Sequence, residues 1–252
     1  MAFCTFELRS RVLDTHVGVT MILPEGKPPV NGWRTLWLLH GMSDDDTIWT
    51  RRTSIERYVP DDLAVVMPAA ELSCYSDMTH GKAYYTYLTR ELPMILRDLF
   101  ALSSRREDNY VAGLSMGGEG AFKIGLAYPE KYSVIGCLSA GVFNHPWNPE
   151  TLAAHRTLYL AHDGKTLDGS PEDGFGNARR ILAEGKPVPR IYHAIGKSDF
   201  LLASAHETRD FFESLEGNPF GYVYEEDEGS HNWDFWDAHI VRFLEFLRVN
   251  GN

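Results

Sequence analysis

The chain has 252 residues, of which 44% are hydrophobic and 23% charged, which is enough apolar material for one large core in a single domain spanning 1–252. A formal net charge of −11 without clustered Lys and Arg excludes a nucleic-acid partner, because such clusters are what bind phosphate backbones. The first 24 residues lack a signal-peptide pattern and no apolar run approaches the roughly 18 residues of a membrane span, so we expect a cytoplasmic protein with no membrane partner.

Strand-like and helix-like segments alternate along the chain. Apolar runs typical of strands lie at 5–10, 17–24, 34–41, 62–68, 132–141, 190–196 and 220–229. Apolar residues at helical spacing predict helices at 49–58, at 84–102 with an irregularity at Pro93, at 199–217 and at 232–249. This alternation predicts an α/β fold with a mostly parallel central sheet and helices on both faces.

Two further regions of the chain, 110–132 and 143–189, have distinct patterns. The stretch YVAGLSMGGEGAFKIGLAYPEKY, residues 110–132, predicts a strand, a sharp turn and a helix. The Gly- and Pro-rich segment 143–189 predicts irregular structure with short helices. It is either a small cap over the site or a surface loop.

Ser115 lies in the turn of that stretch, within the pattern G-x-S-x-G. Gly113 and Gly117 are the small residues that so tight a bend between a strand and a helix requires. The helix that follows directs its free N–H groups towards the serine, which favours an anionic oxygen there. The pattern therefore predicts a nucleophile beside an anion site, against the alternative of a glycine-rich turn in which Ser115 only caps the helix.

A serine nucleophile needs a base, and the base needs a carboxylate to orient it. After such a turn the partners follow in the order carboxylate, histidine, each after a later strand. His231 lies in a Gly-Ser loop between the last strand and the last helix, and Asp199 follows the strand 190–196. We predict them as base and acid, with a helix cap as the alternative for Asp199.

The other candidates fit less well. His193 falls in a strand, and His206 and His239 fall in helices, where a packed or solvated ring is the expectation. Further carboxylates are expected to be solvated in an irregular segment or at a strand end: Asp163, Asp168, Asp173, Glu225, Glu226, Asp227 and Glu228.

The oxyanion of an acyl-transfer intermediate requires N–H donors. One predicted donor is the backbone N–H of Met116, immediately after the nucleophile. The second is the N–H of Met42, because His40-Gly41 ends a buried strand and turns the chain there.

The sequence offers no cofactor or metal motif. Cys4, Cys74 and Cys137 are too widely spaced for a metal pair or a disulfide framework and are expected to be small buried thiols. There is no H-E-x-x-H, no calcium loop and no G-x-G-x-x-G, so neither a metal nor an organic cofactor is expected.

Five segments together resemble the esterase D-like branch of the α/β hydrolases, and within it the tributyrin esterase group. They are LLHGMSDDDTIW, YSDMTHGKAYYTYLTRELP, AGLSMGGEGAFKIGLAYPEKYS, IGKSDFLL and GSHNWDFWD, in that order from Thr35 onward. The resemblance implies an α/β-hydrolase sheet of eight or nine strands. It also implies a triad of Ser115, Asp199 and His231, an oxyanion hole from Met42 and Met116, and no cofactor.

The activity expected from this resemblance is hydrolysis of short-chain acyl or acetyl esters, with a small ester as the partner and a homo-oligomer left open. Alternatives are a feruloyl or carbohydrate acetyl esterase, a thioesterase like S-formylglutathione hydrolase, and a catalytically silent binding protein. His40-Gly41-Met42 departs from the Ser-Gly-Leu type segment of formylglutathione hydrolases. Tyr75, Trp147 and Trp233 are the predicted substrate contacts.

Overall fold

This computed structural model describes residues 1–144 and 149–248. Within them eight strands form one sheet in the order β1-β2-β4-β3-β5-β6-β7-β8. Strands β1 and β2 pair antiparallel, as do β2 and β4, and all other neighbours are parallel. The strands are β1 Ala2–Ser10, β2 Thr15–Leu23, β3 Arg34–Leu39, β4 Leu63–Pro68, β5 Asn109–Leu114, β6 Val134–Leu138, β7 Arg190–Gly196 and β8 Val223–Asp227.

Ten α-helices accompany the sheet in the described ranges. They are α1 Ile48–Arg52, α2 Ile55–Tyr58, α3 Tyr84–Thr86, α4 Leu92–Leu99, α5 Met116–Ala127, α6 Pro149–Ala154, α7 Arg156–His162, α8 Gly174–Ala183, α9 Leu202–Glu213 and α10 Trp233–Arg248. A π-helical turn, Tyr87–Glu91, and a 3₁₀ turn, Arg106–Asp108, complete the list.

The sheet separates two apolar clusters, as the sequence predicts. One face packs against α4, α5, α8 and α9, and the other packs against α1, α2 and α10. Every residue of β4, β5 and β6 is buried, whereas the edge strands β1 and β8 are partly exposed. A strand that is covered on both faces has a continuous run of apolar residues, which is why these central strands are recognisable in the sequence.

The predicted helix at 49–58 is two short helices. The hydroxyl of Thr53 donates to the carbonyl of Trp49 (2.6 Å) and accepts from the N–H of Ile55 (3.1 Å). The Thr53 N–H keeps its helical bond to the Trp49 carbonyl, but the Ile55 N–H is bonded to the Thr53 side chain and not to a carbonyl one turn back, and the helix stops.

The predicted helix at 84–102 is also divided, and it ends at Leu99. The π-helical turn ends two residues before Pro93, which has no N–H to donate to the carbonyl of Thr89. The ammonium of Lys131 donates to that carbonyl instead, at 3.1 Å. The irregularity expected at Pro93 is therefore present, one turn before the proline.

Membrane-spanning helices were sought in the described part of the chain, and none of its helices is both long and apolar enough.

Stability at acidic pH should depend on His193 of β7, which is fully buried and hydrogen-bonded to the Ala140 carbonyl and the Tyr222 hydroxyl. Burial lowers its pKa to about 4, from 6.5 in the exposed ring. Between these values the unfolded chain binds a proton that the folded chain does not, so stability falls as pH drops from 6.5 to 4. The part of the unfolding free energy that His193 causes to be lost over this pH range is about 3 kcal/mol, and urea unfolding at different pH values measures it.

The matched variant is His193→Gln, which keeps a donor and an acceptor but does not titrate. Its unfolding free energy should fall less steeply over the same pH range. Equal slopes for the two proteins would contradict this assignment.

Candidate active site

Ser115 occupies a strained turn between β5 and α5. Its φ of 52° and ψ of −120° lie outside the regions that a non-glycine residue ordinarily adopts. A Cβ on Gly113 would lie 2.4 Å from the carbonyl oxygen of Gly117, and one on Gly117 would lie 2.6 Å from that of His40. Both positions therefore require glycine, as the sequence predicts.

The structure brings Ser115, His231 and Asp199 into one chain of hydrogen bonds. Nε2 of His231 lies 2.9 Å from Oγ of Ser115. Nδ1 of His231 lies 3.0 and 2.9 Å from the two carboxylate oxygens of Asp199. The Asp199 side chain is fully buried and the His231 ring is 17% exposed. Neutral His231 with its proton on Nδ1 has Nε2 free to accept the serine proton.

A tight contact between the ends of β7 and β8 sets this geometry. A Cβ on Gly196 would lie 2.5 Å from the backbone of Gly229, and the N–H of Ser198 donates to the Gly229 carbonyl (2.9 Å). Asp199 accepts the N–H of Leu201 (2.9 Å), but it is not the N-cap of α9, which is Leu201. The helix-cap alternative for Asp199 does not describe its position.

The alternative carboxylates of the segment 143–189 have other partners. Asp163 pairs with His80 at the surface. Asp173 caps α8 through the N–H of Gly176 (2.6 Å). Asp168 accepts from the side-chain amide of Asn144 (3.2 Å).

The acidic run at the end of β8 is also paired elsewhere. Glu226 contacts His206, and Asp227 contacts His239 and Arg242. Glu225, Asp227 and His239 present ligand atoms within 4.8 Å of one another, as a metal site would. However, the Arg242 guanidinium already binds both carboxylates, so the group is accounted for as an ion-pair network.

The loop after β3, which carries Met42, is held by the ring of His40. Nε2 of this buried ring accepts the N–H of Ala70 (2.9 Å), so Nδ1 carries the proton and donates to the Gly41 carbonyl (2.7 Å). Burial lowers the pKa of His40, which favours this neutral form. In a trans peptide the C=O and N–H groups point in opposite directions, so the Met42 N–H points away from the His40 ring.

Tyr75 lies behind this loop and does not line the cavity that opens onto Ser115, which corrects the expectation of a substrate contact. It is fully buried, and its hydroxyl donates to the His40 carbonyl at 2.9 Å. The burial follows from its backbone, because Cys74 and Tyr75 both have positive φ and turn the chain inward. Sequence reasoning could not see this turn, since neither residue is a glycine.

A cavity of about 760 Å³ opens onto Ser115 and His231. Its wall includes the other predicted residues Met42, Met116 and Trp233. Trp147 lies outside the described residues. The segment 143–189 contributes to the wall as well, through three residues, Phe143, His155 and Leu158.

The sequence analysis missed a buried ionic cluster beside this cavity. The Lys123 ammonium has three acceptors within 3.0 Å: the Cys74 carbonyl, the Ser76 hydroxyl and Oε1 of Glu119. Glu172 lies 3.6 Å from the same ammonium. The spacing of Glu119 and Lys123 along a helix was a readable signal, but a solvated pair is its usual meaning.

Comparison with known proteins gives consistent matches over almost the whole chain. A family model described as "Putative esterase" matches residues 10–247. A protein named acetyl esterase from Caldicellulosiruptor saccharolyticus is 31% identical to this chain, with 98% of each chain covered.

Two solved structures from Staphylococcus aureus are similar in fold and in sequence. One is a fluorophosphonate-binding serine hydrolase, with a TM-score of 0.81 and 30% identity. The other is an S-formylglutathione hydrolase, with a TM-score of 0.80 and 32% identity. Each alignment covers 98% of both chains. The α/β-hydrolase fold expected from the sequence is confirmed.

Replacing the Asp199 carboxylate should abolish turnover without unfolding the protein. In Asp199→Asn, the amide no longer holds the His231 proton on Nδ1, and kcat should fall on the order of 10⁴-fold, as in the serine protease case. Thermal unfolding should stay near that of the wild type. Asp163→Asn is the matched control and should turn over normally. Normal turnover by Asp199→Asn would exclude this carboxylate as the orienting acid.

The hydroxyl of Tyr75 should matter for turnover, although it is remote from the substrate. Tyr75→Phe removes the hydrogen bond to the His40 carbonyl and loosens the loop carrying Met42, so we expect kcat to fall about tenfold with KM nearly unchanged. Tyr87→Phe is the control, because the buried Tyr87 hydroxyl has no hydrogen-bond partner among the described residues. Equal effects of the two substitutions would refute a positioning role for Tyr75.

Proposed function

Because the chain belongs to the esterase family of the α/β-hydrolase superfamily, we propose that it is a carboxylesterase acting on short-chain acyl or acetyl esters. An esterase or serine hydrolase function follows from the relatives. The substrate class, the roles of individual residues and membership of the tributyrin esterase group are our proposal. The observation that carries it is the hydrogen-bonded series Ser115–His231–Asp199 at the wall of a cavity.

In the proposed mechanism, Oγ of Ser115 attacks the ester carbonyl while Nε2 of His231 takes the hydroxyl proton. Asp199 accepts a hydrogen bond from the Nδ1–H group of His231 and stabilises the imidazolium that forms. His231 then gives its proton to the departing alcohol, leaving an acyl group on Ser115. Water activated by the same imidazole hydrolyses this acyl-enzyme, which regenerates the serine.

The N–H groups of Met42 and Met116 are the proposed donors to the oxyanion. Met116 begins α5, and the first N–H groups of a helix have no partner within it. The orientation of the Gly41–Met42 peptide turns the Met42 N–H away from the His40 ring. Two such fixed donors stabilise the tetrahedral intermediate without reorganisation, which is worth several kcal/mol in other enzymes.

We further propose that the segment 143–189 is a small cap. Phe143, His155 and Leu158 support this role, because they line the cavity together with Met116. The cavity wall is mainly apolar, which suits an acyl group of a few carbons.

A thioesterase activity is the second candidate function. The similar S-formylglutathione hydrolase at 32% identity favours it, although His40-Gly41-Met42 differs from the segment expected of that activity. A thioester would use the same serine, base and oxyanion donors. S-formylglutathione and short p-nitrophenyl esters should therefore be compared by kcat/KM on the same preparation.

The covalent step is tested with a fluorophosphonate probe and p-nitrophenyl acetate. The wild type should be labelled once and release p-nitrophenol, whereas Ser115→Ala should do neither because it lacks the nucleophile. Ser230→Ala is the matched control, since Ser230 lies next to His231 but outside the strained turn, and it should behave like the wild type. Labelling that survives in Ser115→Ala, or no labelling of the wild type, would refute the proposal and favour a binding protein.

A further inference from the structure

One wall of the cavity carries a buried carboxylate that the proposed reaction does not use. Glu119 is 7% exposed, and it lines the same cavity as Ser115 and His231. It follows Ser115 by four residues, and its N–H donates to the Ser115 carbonyl (3.1 Å). Residues so spaced share one face of a helix, about 6 Å apart along the axis. Glu119 therefore lies one helical turn beyond the nucleophile.

The two carboxylate oxygens of Glu119 have different surroundings. Oε1 accepts from the Lys123 ammonium at 3.0 Å. The ion pair with Lys123 uses Oε1 and not Oε2. The Lys123 ammonium cannot turn to Oε2 without losing a bond, because its three hydrogens are matched by the Cys74 carbonyl, the Ser76 hydroxyl and Oε1. Because Glu119 lines the cavity, a donor that enters the cavity could form a charge-assisted hydrogen bond with Oε2 while Oε1 keeps its ion pair with Lys123.

The alcohol and acyl parts of a bound ester extend from Ser115 in different directions. His231 must protonate the leaving alcohol, so the alcohol lies on the His231 side, together with Phe200 and Trp236, which contact that ring. Glu119 is instead joined through Lys123 to Cys74, another wall residue. An acyl group that extends from Ser115 along the first turn of α5 would reach Glu119.

We propose that Glu119 selects esters whose acyl group carries a hydroxyl two or three carbons from the carbonyl, with Oε2 as its hydrogen-bond partner. One helical turn of separation matches the reach of such a short hydroxyacyl chain. A hydroxyl suits this cavity better than an ammonium, because its wall includes the apolar Leu114, Met116 and Leu158 and would desolvate a charge. This inference rests on the proposed esterase function.

Burial gives a second reason for a hydroxyl. It raises the pKa of Glu119, against the opposing effect of the Lys123 charge. A hydroxyl can donate to the carboxylate or accept from the carboxylic acid, so it is bound in either protonation state.

The test compares methyl 3-hydroxybutyrate, as both enantiomers, with methyl butyrate, following acid release at constant pH. In the wild type, kcat/KM for one enantiomer of methyl 3-hydroxybutyrate should exceed kcat/KM for methyl butyrate by about tenfold or more. A ratio of this size is the usual effect of one hydrogen bond to a charged group. Glu119→Met should reduce this ratio about tenfold, while turnover of methyl butyrate persists. Glu119→Gln, which keeps an oxygen acceptor, should retain most of the preference.

Glu172→Gln is the matched control, because Glu172 also faces the Lys123 ammonium but does not line the cavity. Its ratio should equal that of the wild type. A wild-type preference for methyl butyrate, an unchanged ratio in Glu119→Met, or a stronger preference for methyl 3-aminobutyrate would each overturn the inference. Failure of fluorophosphonate labelling would instead overturn the proposed function and this inference together, so the two failures are distinguishable.

Discussion

The close approach of the α5 N-terminus to the end of β3 is the constraint on which the site depends. A single added carbon on Gly117 would meet the backbone carbonyls of Leu39 and His40 at 2.6 Å. Without side chains at Gly113 and Gly117, the helix start can sit against the strand end, and the strained φ of Ser115 is held there by the surrounding contacts. The same contact brings the loop carrying Met42 beside the nucleophile, so one steric requirement sets the nucleophile and both proposed oxyanion donors.

Behind this contact, a buried polar network fixes the orientation of the loop. Lys123 binds the Cys74 carbonyl, the Tyr75 hydroxyl binds the His40 carbonyl, and the His40 ring binds the Gly41 carbonyl. Each of these groups would be costly to bury alone, and each is satisfied by the next. Hydrogen bonds of defined direction hold a peptide plane in one orientation, which apolar packing alone would not do.

The structure could be predicted from the sequence wherever a single local requirement, such as burial on both faces or a lack of space for a side chain, determines it. The central strands are apolar throughout because both of their faces are covered, and Gly113 and Gly117 identify the turn at Ser115 because nothing larger fits. The helix boundaries were less predictable: a side-chain hydrogen bond of Thr53 divides one helix, and Pro93 divides another. Tyr75 could not be assigned from the sequence, because its position depends on contacts with residues 35 positions away.

The cluster around Lys123 shows that the spacing of charged residues in a sequence does not tell whether they are buried or exposed. A Glu and a Lys four residues apart usually lie on a solvated helix face, where the pair contributes only a few tenths of a kcal/mol. In this fold α5 is buried almost throughout, so the same pair becomes an internal group with fixed neighbours. Its third charged member, Glu172, comes from a segment about 50 residues later, and no local pattern connects the two. Because the ammonium of Lys123 is buried, its acceptors are all internal: the Cys74 carbonyl, the Ser76 hydroxyl and Oε1 of Glu119. The proposed polarity of the acyl end would therefore depend on how the buried lysine orients Glu119.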